Sequence, residues 1–266
     1  MHLLAIYAHP DDEAFGTAGT FASITDKGGS VTLVCATRGE AGEISDPSLS
    51  THETLGEVRE AELLAAMKLV NVEDIRMLNY RDSGMAGSFE NNNPRSFVRA
   101  DHAVVTGQLL SILEEIKPDA VITFGADGVY GHPDHIKAHE VATAAMQFFA
   151  TGSNSEPYFY YNAVPRERII AMAKRPNGPF SGMSDEQLSA FGTPSELITT
   201  VIDVSNHFDR KMAAIRAHRT QVAADGPWAE LDPAEVRELM RFERFRLVST
   251  PATSPGTDLL AQFVKE

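Results

Sequence analysis

Short apolar runs alternate with helix-like segments along the first part of the chain. Residues 2–8 and 31–37 are nearly continuous apolar runs, which is typical of strands buried on both faces of a parallel sheet. Between these runs, apolar residues recur at helical spacing up to a Gly-Gly pair, at positions Ala14, Ala18, Phe21 and Ala22. The pattern therefore predicts a β–α–β unit at the start of the chain.

The alternation continues to about residue 165. Helices are predicted over residues 57–70, 101–116 and 135–150, and further strands over residues 75–78, 119–124 and 158–162. A long polar segment over residues 79–100 is predicted to be a functional loop, and a turn is predicted over residues 151–155. Alternating strands and helices predict a doubly wound, Rossmann-like α/β fold, in which helices flank a mostly parallel sheet.

The last hundred residues are less regular. Residues 197–204 and 243–248 are predicted to be strands, and residues 208–215 a helix. We predict one domain spanning the whole chain, with a Rossmann-like core over residues 1–165. The less regular C-terminal extension, residues 166–266, is predicted to complete the site and is a candidate oligomer interface.

Composition narrows the classes of function. The chain has 266 residues, a formal net charge of −14 and a single cysteine, Cys35, within an apolar run. Such an acidic chain is expected to repel nucleic acid and anionic membranes, and a lone cysteine in this position is typical of a buried core thiol. With no signal peptide and no apolar run of membrane-spanning length, we predict a cytoplasmic protein that acts on a small molecule. Formation of a homo-oligomer is left open.

Two polar stretches directly follow predicted strands and carry the candidate chemistry. Residues 8–13 read Ala-His-Pro-Asp-Asp-Glu after the first strand, and residues 130–135 read Tyr-Gly-His-Pro-Asp-His after the fourth. In the common strand order 3-2-1-4-5, strands one and four are neighbours, and ligands bind beyond their carboxyl ends. The two stretches are therefore expected to meet at the edge of the sheet.

The residue types in these stretches suit a metal ion. His9, Asp12 and His135 form a two-His, one-carboxylate set, which leaves a coordination position open for water, as in catalytic zinc sites. The alternative is that each is an ordinary polar residue at a strand end, with its hydrogen bonds made to neighbouring groups and no metal. Spacing alone does not tell whether Asp11 or Asp12 is the ligand and which is the general base.

Neighbouring residues offer supporting roles, each with a structural alternative. Asp11 can accept a proton from water or cap a helix, and Tyr130 can donate a hydrogen bond or pack in its loop. A protonated His132 can stabilise an oxyanion and protonate the leaving amine. Asp134 can orient His132 and favour its charged form, or it can cap the following helix.

Arg59 and Asp82 are weaker candidates, and two further histidines have no predicted role in the chemistry. Arg59 is expected near the start of a helix, where a positive charge is unfavourable, so it is either a binding residue or a surface arginine. Asp82 can accept hydrogen bonds from sugar hydroxyls or serve as a turn residue. His139 lies one helical turn after His135 and is not expected to bind the metal, while His218 has no motif around it.

These motifs resemble those of the PIG-L/LmbE-like N-acetylglucosaminyl deacetylases. The chain is most similar to the branch of mycothiol-biosynthesis deacetylases and mycothiol conjugate amidases, through segments 80–85, 93–98, 130–135 and 163–166. The resemblance implies zinc, or another divalent metal such as iron(II), one ion per subunit, held by His9, Asp12 and His135. It further implies Asp11 as general base and His132 as the acid and oxyanion-stabilising group, with Tyr130 assisting. By the same resemblance, Arg59 and Asp82 match positions that hold the sugar and its attached polyol.

The resemblance implies hydrolysis of an N-acyl bond in an N-acetylglucosamine-containing small molecule. Within the same family, a mycothiol-S-conjugate amidase is the alternative, and a non-catalytic sugar-binding protein is the alternative from another class. A metal-dependent phosphoesterase is disfavoured because the sequence has neither a second carboxylate-rich metal cluster nor a phosphate-cradling glycine loop.

Overall fold

A seven-stranded sheet forms the centre of the molecule. The computed structural model describes residues 1–152, 156–174, 183–223, 231–254 and 256–265. The strands in these ranges, in chain order, are β1 His2–Tyr7, β2 Ser30–Thr37, β3 Asp74–Tyr80, β4 Ala120–Thr123, β5 Tyr158–Asn162, β6 Thr200–Asp203 and β7 Phe242–Ser249. Their spatial order is β3-β2-β1-β4-β5-β7-β6. The first five strands are parallel, and β7 runs antiparallel to both β5 and β6.

Helices connect the strands. In the described ranges they are α1 Asp12–Asp26, α2 Leu55–Leu69, α3 His102–Ile116, α4 Gly128–Gly131, α5 Pro133–Gly152, α6 Arg166–Ala173, α7 Asp185–Ser189, α8 Phe208–Ala217, α9 Pro233–Met240 and α10 Leu259–Lys265. Helix α3 packs against α5, and α8 packs against both α1 and α2. Right-handed crossovers place α1 and α2 on the opposite face of the sheet from α3 and α5, which confirms the predicted doubly wound α/β class.

The core lies where the central strands are covered on both faces. Every residue from Leu3 to Ala8 is buried, as is Cys35 on β2, whose thiol is free. Local sequence explains several helix ends: the Asp101 carboxylate accepts hydrogen bonds from two backbone N–H groups at the start of α3. None of the helices in the described ranges is both long and apolar enough to cross a bilayer.

The C-terminal part joins the same sheet. The strands predicted over residues 197–204 and 243–248 are present as β6 and β7, and β7 pairs with β5. The pattern did not predict α6, α9 and α10, which are short. The polar segment over residues 79–100 contains two 3₁₀ turns, and the turn predicted over residues 151–155 lies partly outside the described residues.

Candidate active site

Two imidazoles and a carboxylate meet beyond the carboxyl ends of β1 and β4. His9 Nδ1 lies 3.2 Å from His135 Nε2. Asp12 Oδ1 lies 3.2 Å from His135 Nε2, and Asp12 Oδ2 lies 3.6 Å from His9 Nδ1. Both imidazoles are buried, and the Asp12 side chain is 10% exposed. The structure therefore brings together the three residues that the sequence predicts as metal ligands.

The spacing of these atoms fits a divalent cation. In a tetrahedral zinc site with bonds of about 2.05 Å, ligand atoms are about 3.3 Å apart, close to the separations of His9, Asp12 and His135. Among the described residues, two groups of three have one ligand atom each within 4.8 Å of one another: His9 with His132 and His135, and His9 with Asp82 and Asp134. Asp12 belongs to neither of these two groups. Nitrogen and oxygen donors of this kind suit zinc and iron(II) alike.

The second ring nitrogen of His9 faces two carboxylates. His9 Nε2 lies 3.2 Å from Asp134 Oδ2 and 3.4 Å from Asp82 Oδ1. A histidine that binds metal through one nitrogen commonly holds a carboxylate on the other, which orients its ring. Burial opposes the charged form of His9, but the carboxylates of Asp82, Asp12 and Asp134 raise its pKa well above the ordinary value.

The Asp134 carboxylate contacts His9 rather than His132, the partner expected from the sequence. Its Oδ2 lies within hydrogen-bond distance of His9 Nε2 and accepts a hydrogen bond of 2.9 Å from the Ser83 N–H. Its Oδ1 is buried and has no hydrogen-bond partner among the described residues. The link between Asp134 and His132 runs instead through the backbone, because the Asp134 N–H donates to His132 Nδ1 at 3.2 Å.

Burial and neighbouring charges act on the protonation of His132. Burial lowers its pKa to about 4, helped by the positive charges of His9 and His135, and this outweighs the carboxylates of Asp134 and Asp82. Since Nδ1 accepts the Asp134 N–H, the proton of the neutral ring resides on Nε2. His132 is therefore a neutral hydrogen-bond donor in this structure.

Asp11 has a strained backbone at the start of α1. Its φ of 114° lies in the left-handed region, which is unfavourable for residues other than glycine and is common at functional sites. Asp11 is the N-cap residue of α1 by position, but its side chain makes no capping hydrogen bond. The Asp11 carboxylate is 20% exposed, and burial raises its pKa to about 6 although Arg59 acts in the opposite direction.

Arg59 is buried beneath the site, so the surface-arginine alternative is also wrong. Only 3% of it is exposed, and α2 begins before it, at Leu55. Its guanidinium donates to Gly39 O at 2.9 Å and Pro10 O at 2.6 Å, and lies 3.3 Å from the Asp11 carboxylate. Gly39 has a φ of 67°, and a Cβ there would collide with this guanidinium. Arg59 therefore ties the turns after β1 and β2 together under Asp11.

Asp82 also holds loops together. Its Oδ1 accepts a hydrogen bond of 2.8 Å from the Gly84 N–H, and its Oδ2 accepts one of 3.1 Å from the Ala41 N–H. Its side chain is buried against His9, whose positive charge lowers the Asp82 pKa despite the opposing effect of burial. Each oxygen of Asp82 therefore accepts one hydrogen bond from a loop N–H group.

Tyr130 and His139 lie next to the cluster. The Tyr130 ring centroid lies 5.1 Å from that of His135, and burial raises the pKa of its phenol. Val129, beside it, has a φ of 67°, so the turn that carries Tyr130 is strained. His139 contacts the Phe124 carbonyl at 3.0 Å and belongs to neither of the two ligand groups that contain His9.

The sequence interpretation missed one residue of the site, His218. It follows α8, is fully buried, and its Nε2 lies 2.8 Å from Glu13 Oε1. The other oxygen of Glu13 accepts a hydrogen bond of 3.0 Å from the Asp11 N–H. The 205 residues between Glu13 and His218 explain why no local pattern revealed the pair. Its one signal was the polar run from His218 to Gln221 at the end of an amphipathic helix.

A cavity of about 380 Å³ opens beside the cluster. Asp11, Asp12, Tyr130 and His135 line one part of it, and residues of α1, β5, α6, α8, α9 and β7 line most of the rest. Most of this further wall is apolar, including Phe15, Ile169 and other side chains of α6 and α9. The cluster is therefore open to a molecule larger than water, and the C-terminal extension supplies part of the wall.

The fold and the site together define a class of protein. It is a Rossmann-like α/β protein in which a cluster of His and Asp residues, able to hold a metal, lies where the strand order of the sheet reverses. Residues 4–146 match the family described as PIG-L: GlcNAc-PI de-N-acetylase, and the chain belongs to this family. The family predicted from the two His-Pro-Asp motifs is thus confirmed.

Curated relatives cover nearly the whole chain. The 1D-myo-inositol 2-acetamido-2-deoxy-alpha-D-glucopyranoside deacetylase of Acidothermus cellulolyticus is 42% identical over 243 residues, which is 86% of this chain and 82% of the relative. The protein of the same name from Thermobifida fusca is 37% identical over 273 residues, 96% of each chain. Both are named as deacetylases of an inositol glycoside of N-acetylglucosamine, and neither name describes an amidase of S-conjugates.

Solved structures share the fold. The N,N'-diacetylchitobiose deacetylase from Pyrococcus horikoshii superposes with a TM-score of 0.63 at 24% identity, over 97% of this chain and 88% of its own. The conserved protein TT1542 from Thermus thermophilus superposes with a TM-score of 0.57 at 23% identity, over 96% and 98%. Together with the observed topology, these likenesses confirm the predicted fold class.

Proposed function

We propose that this chain is a metal-dependent hydrolase that removes the acetyl group from an N-acetylglucosaminide. The observation that carries the proposal is the convergence of His9, Asp12 and His135, with the Asp11 carboxylate, which makes no capping hydrogen bond, beside them in the wall of a cavity. The deacetylase names of relatives such as that of Thermobifida fusca support the same reaction. An inositol glycoside is the substrate those names favour.

His9, Asp12 and His135 would hold the cation, with zinc as the first choice and iron(II) as the alternative. Bound there, a divalent cation would polarise the acyl carbonyl and lower the pKa of a coordinated water. Asp82 and Asp134 then serve to orient the ring of His9 through its second nitrogen. Arg59 serves to hold Asp11 and the two loops beneath it in position.

Asp11 acts as the general base in this proposal. Its carboxylate accepts a proton as the water oxygen bonds to the acyl carbon. The neutral His132 donates its Nε2–H to the developing oxyanion, and Tyr130 is a second candidate donor. The carbon–nitrogen bond then breaks, and the proton held on Asp11 passes to the departing amine, leaving acetate. In this proposal the acid that protonates the amine is Asp11 and not His132, because a neutral imidazole gives a hydrogen bond through its N–H but does not give up that proton.

The substitution Asp11→Asn tests the role of Asp11 as general base while keeping the shape of its side chain. Asparagine is isosteric and tolerates a positive φ, so the strained turn is retained. We expect acetate release from N-acetylglucosaminides to fall by roughly 10²- to 10⁴-fold while the metal content of the purified chain is unchanged. Asp12→Asn is expected to lose the metal, and Glu73→Gln, at an exposed position, serves as the control.

Two results would contradict the assignment. Metal loss in Asp11→Asn but not in Asp12→Asn would exchange the roles of the two carboxylates. Release of phosphate from phosphoesters, with no acetate released from any N-acetyl sugar tested, would overturn the proposed reaction. Acetate release should be compared after reconstitution with zinc and with iron(II), because that comparison identifies the more active metal.

A further inference from the structure

A carboxamide lies in the wall of the cavity that opens beside the metal cluster. Asn162 is the last residue of β5, the strand next to β4, and it lines the cavity together with Asp12 and His135. Pairing with Phe245 of β7 fixes its backbone. Because neighbouring strands are about 4.8 Å apart, Asn162 lies one strand further along the edge of the sheet than the stretch that follows β4.

The oxygen of this carboxamide is held by a buried tyrosine. Tyr7 is fully buried on β1, and its hydroxyl donates to Asn162 Oδ1 at 3.0 Å. The same hydroxyl lies 3.3 Å from Thr17 Oγ1, which donates to the Glu13 carbonyl at 2.9 Å. Burial raises the pKa of the Tyr7 phenol, so the hydroxyl remains a donor at neutral pH. Because Tyr7 donates, the amide oxygen faces it and the amide nitrogen is turned away from it.

The amide nitrogen of Asn162 has no hydrogen-bond partner in the part of the chain that the structure describes. Because the residue is only partly buried, this nitrogen can be reached from the cavity. Gly16 of α1, which lines the same cavity, leaves the space that the amide occupies, since a Cβ there would lie 2.3 Å from Asn162 Nδ2. The anchored amide therefore offers two free N–H donors beside the metal cluster.

The surrounding wall does not supply an acceptor for these donors. The side chains of Phe124, Ala163 and Val164, which line the cavity near Asn162, contain no hydrogen-bonding atom. The Glu243 carboxylate of the same wall is already engaged, because it accepts from Lys211 at 2.7 Å and from two backbone N–H groups of α1. An oxygen of a bound molecule would therefore satisfy donors that the chain holds in place and leaves unpaired.

We propose that Asn162 is a specificity-determining residue that donates a hydrogen bond to one ring hydroxyl of the bound N-acetylglucosaminide. This inference rests on the proposed function, in which the acyl carbonyl lies at the cation held by His9, Asp12 and His135. The sugar ring then extends from the ends of β1 and β4 toward β5, where Asn162 lies. A carboxamide carries no charge, and hydroxyl oxygens are the neutral acceptors that a sugar ring offers.

Deoxy sugars test this contact through a ratio that does not depend on how much of a variant is folded. The kcat/KM for acetate release is measured with methyl N-acetylglucosaminide and with analogues that lack the hydroxyl at carbon 3, 4 or 6. With the unmodified chain, we expect one analogue to be a poorer substrate than the complete sugar by roughly 3- to 10-fold, the effect of one neutral hydrogen bond. Asn162→Leu, which is close in size, should lower this ratio to about 1 by slowing the complete sugar alone.

Three further variants complete the test. Asn162→Ala should remove the same ratio, and it replaces the leucine variant if leucine disturbs the fold. Tyr7→Phe keeps the amide but removes the hydroxyl that holds its oxygen, so it should lower the ratio only in part. Asn206→Leu, at an exposed position outside the cavity, is the control and should keep the full ratio.

An unchanged ratio in both Asn162 variants would overturn the inference, as would an unmodified chain that accepts every analogue as well as the complete sugar. Acetate release in those cases leaves the proposed reaction standing. If no sugar releases acetate, the proposed reaction is contradicted, and the same sugars are titrated into the unmodified chain and Asn162→Leu by calorimetry. Equal affinities of the two chains for the complete sugar, or no binding to either, would then overturn the contact as well.

Discussion

The buried contact between His218 and Glu13 makes a sharp prediction about stability. Replacing His218 with alanine leaves Glu13 Oε1 without its partner in a region where both side chains are fully buried. Removing one partner of a buried ion pair costs about 3–5 kcal/mol, because the remaining charge is desolvated and unpaired. For a chain of this size, 1 kcal/mol corresponds to about 2–4 °C, so the melting temperature should fall by roughly 6–20 °C.

Urea denaturation followed by circular dichroism measures this cost through the shift in the midpoint at a constant slope. His218→Gln keeps a side-chain N–H donor and should lose less than His218→Ala. His102→Ala is the control, because His102 is exposed on α3 and such changes usually fall within about 0.5 kcal/mol. A loss below about 1 kcal/mol for His218→Ala would refute the idea that a desolvated ion pair joins α8 to the start of α1.

The same pair predicts a direction for the pH dependence of stability. Burial disfavours the charged form of His218, but Glu13 raises its pKa above the ordinary value of 6.5. A raised pKa in the folded state means that the pair's contribution is fully present below pH 6.5 and is lost as the pH rises through the folded-state pKa. The difference in unfolding free energy between the unmodified chain and His218→Gln should therefore shrink at alkaline pH, and a difference that grows there would contradict this assignment.

Two further predictions concern the packing that supports the site. Gly19→Ala on α1 should destabilise the chain by about 1–3 kcal/mol, because its Cβ would lie 2.5 Å from Val204 Cβ. Gly107→Ala on α3, where the new Cβ meets open space, should instead stabilise by about 0.5–1 kcal/mol, and equal thermal shifts of the two variants would contradict both expectations. Lys211→Met should cost about 3 kcal/mol in urea denaturation by leaving the buried Glu243 unpaired, and adding Glu243→Gln should recover part of that loss.

Much of the fold could be predicted because its pattern is local. Strands buried on both faces require apolar runs, and the helices between them require apolar residues at helical spacing, so β1 to β5 and the longer helices followed from short windows of sequence. The two His-Pro-Asp stretches could be placed side by side for the same reason, since carboxyl ends of neighbouring parallel strands share one edge. Short helices such as α6 and α9 lack enough turns to show a periodic pattern.

Hydrogen-bond partners were harder to predict, even within the motifs. The sequence placed Asp134 beside His132, but helix α5 turns the carboxylate toward His9 and leaves only the backbone N–H for His132. The protonation of His132 was hard to predict for a related reason, because burial and two neighbouring imidazoles lower its pKa despite the adjacent acid. Such balances depend on every group within several ångströms and not on the nearest residue in sequence.

The sequence by itself determined the class of fold, the family and the three residues whose side chains converge, because strand ends, motif spacing and topology are all set by short-range patterns. Only the tertiary structure decided which distant residues support them. Glu13 meets His218, and Asp11 meets Arg59, across long separations along the chain. Contacts of this kind are produced when helices and strands pack, and packing selects partners by shape and burial, which leave no periodic trace in the sequence.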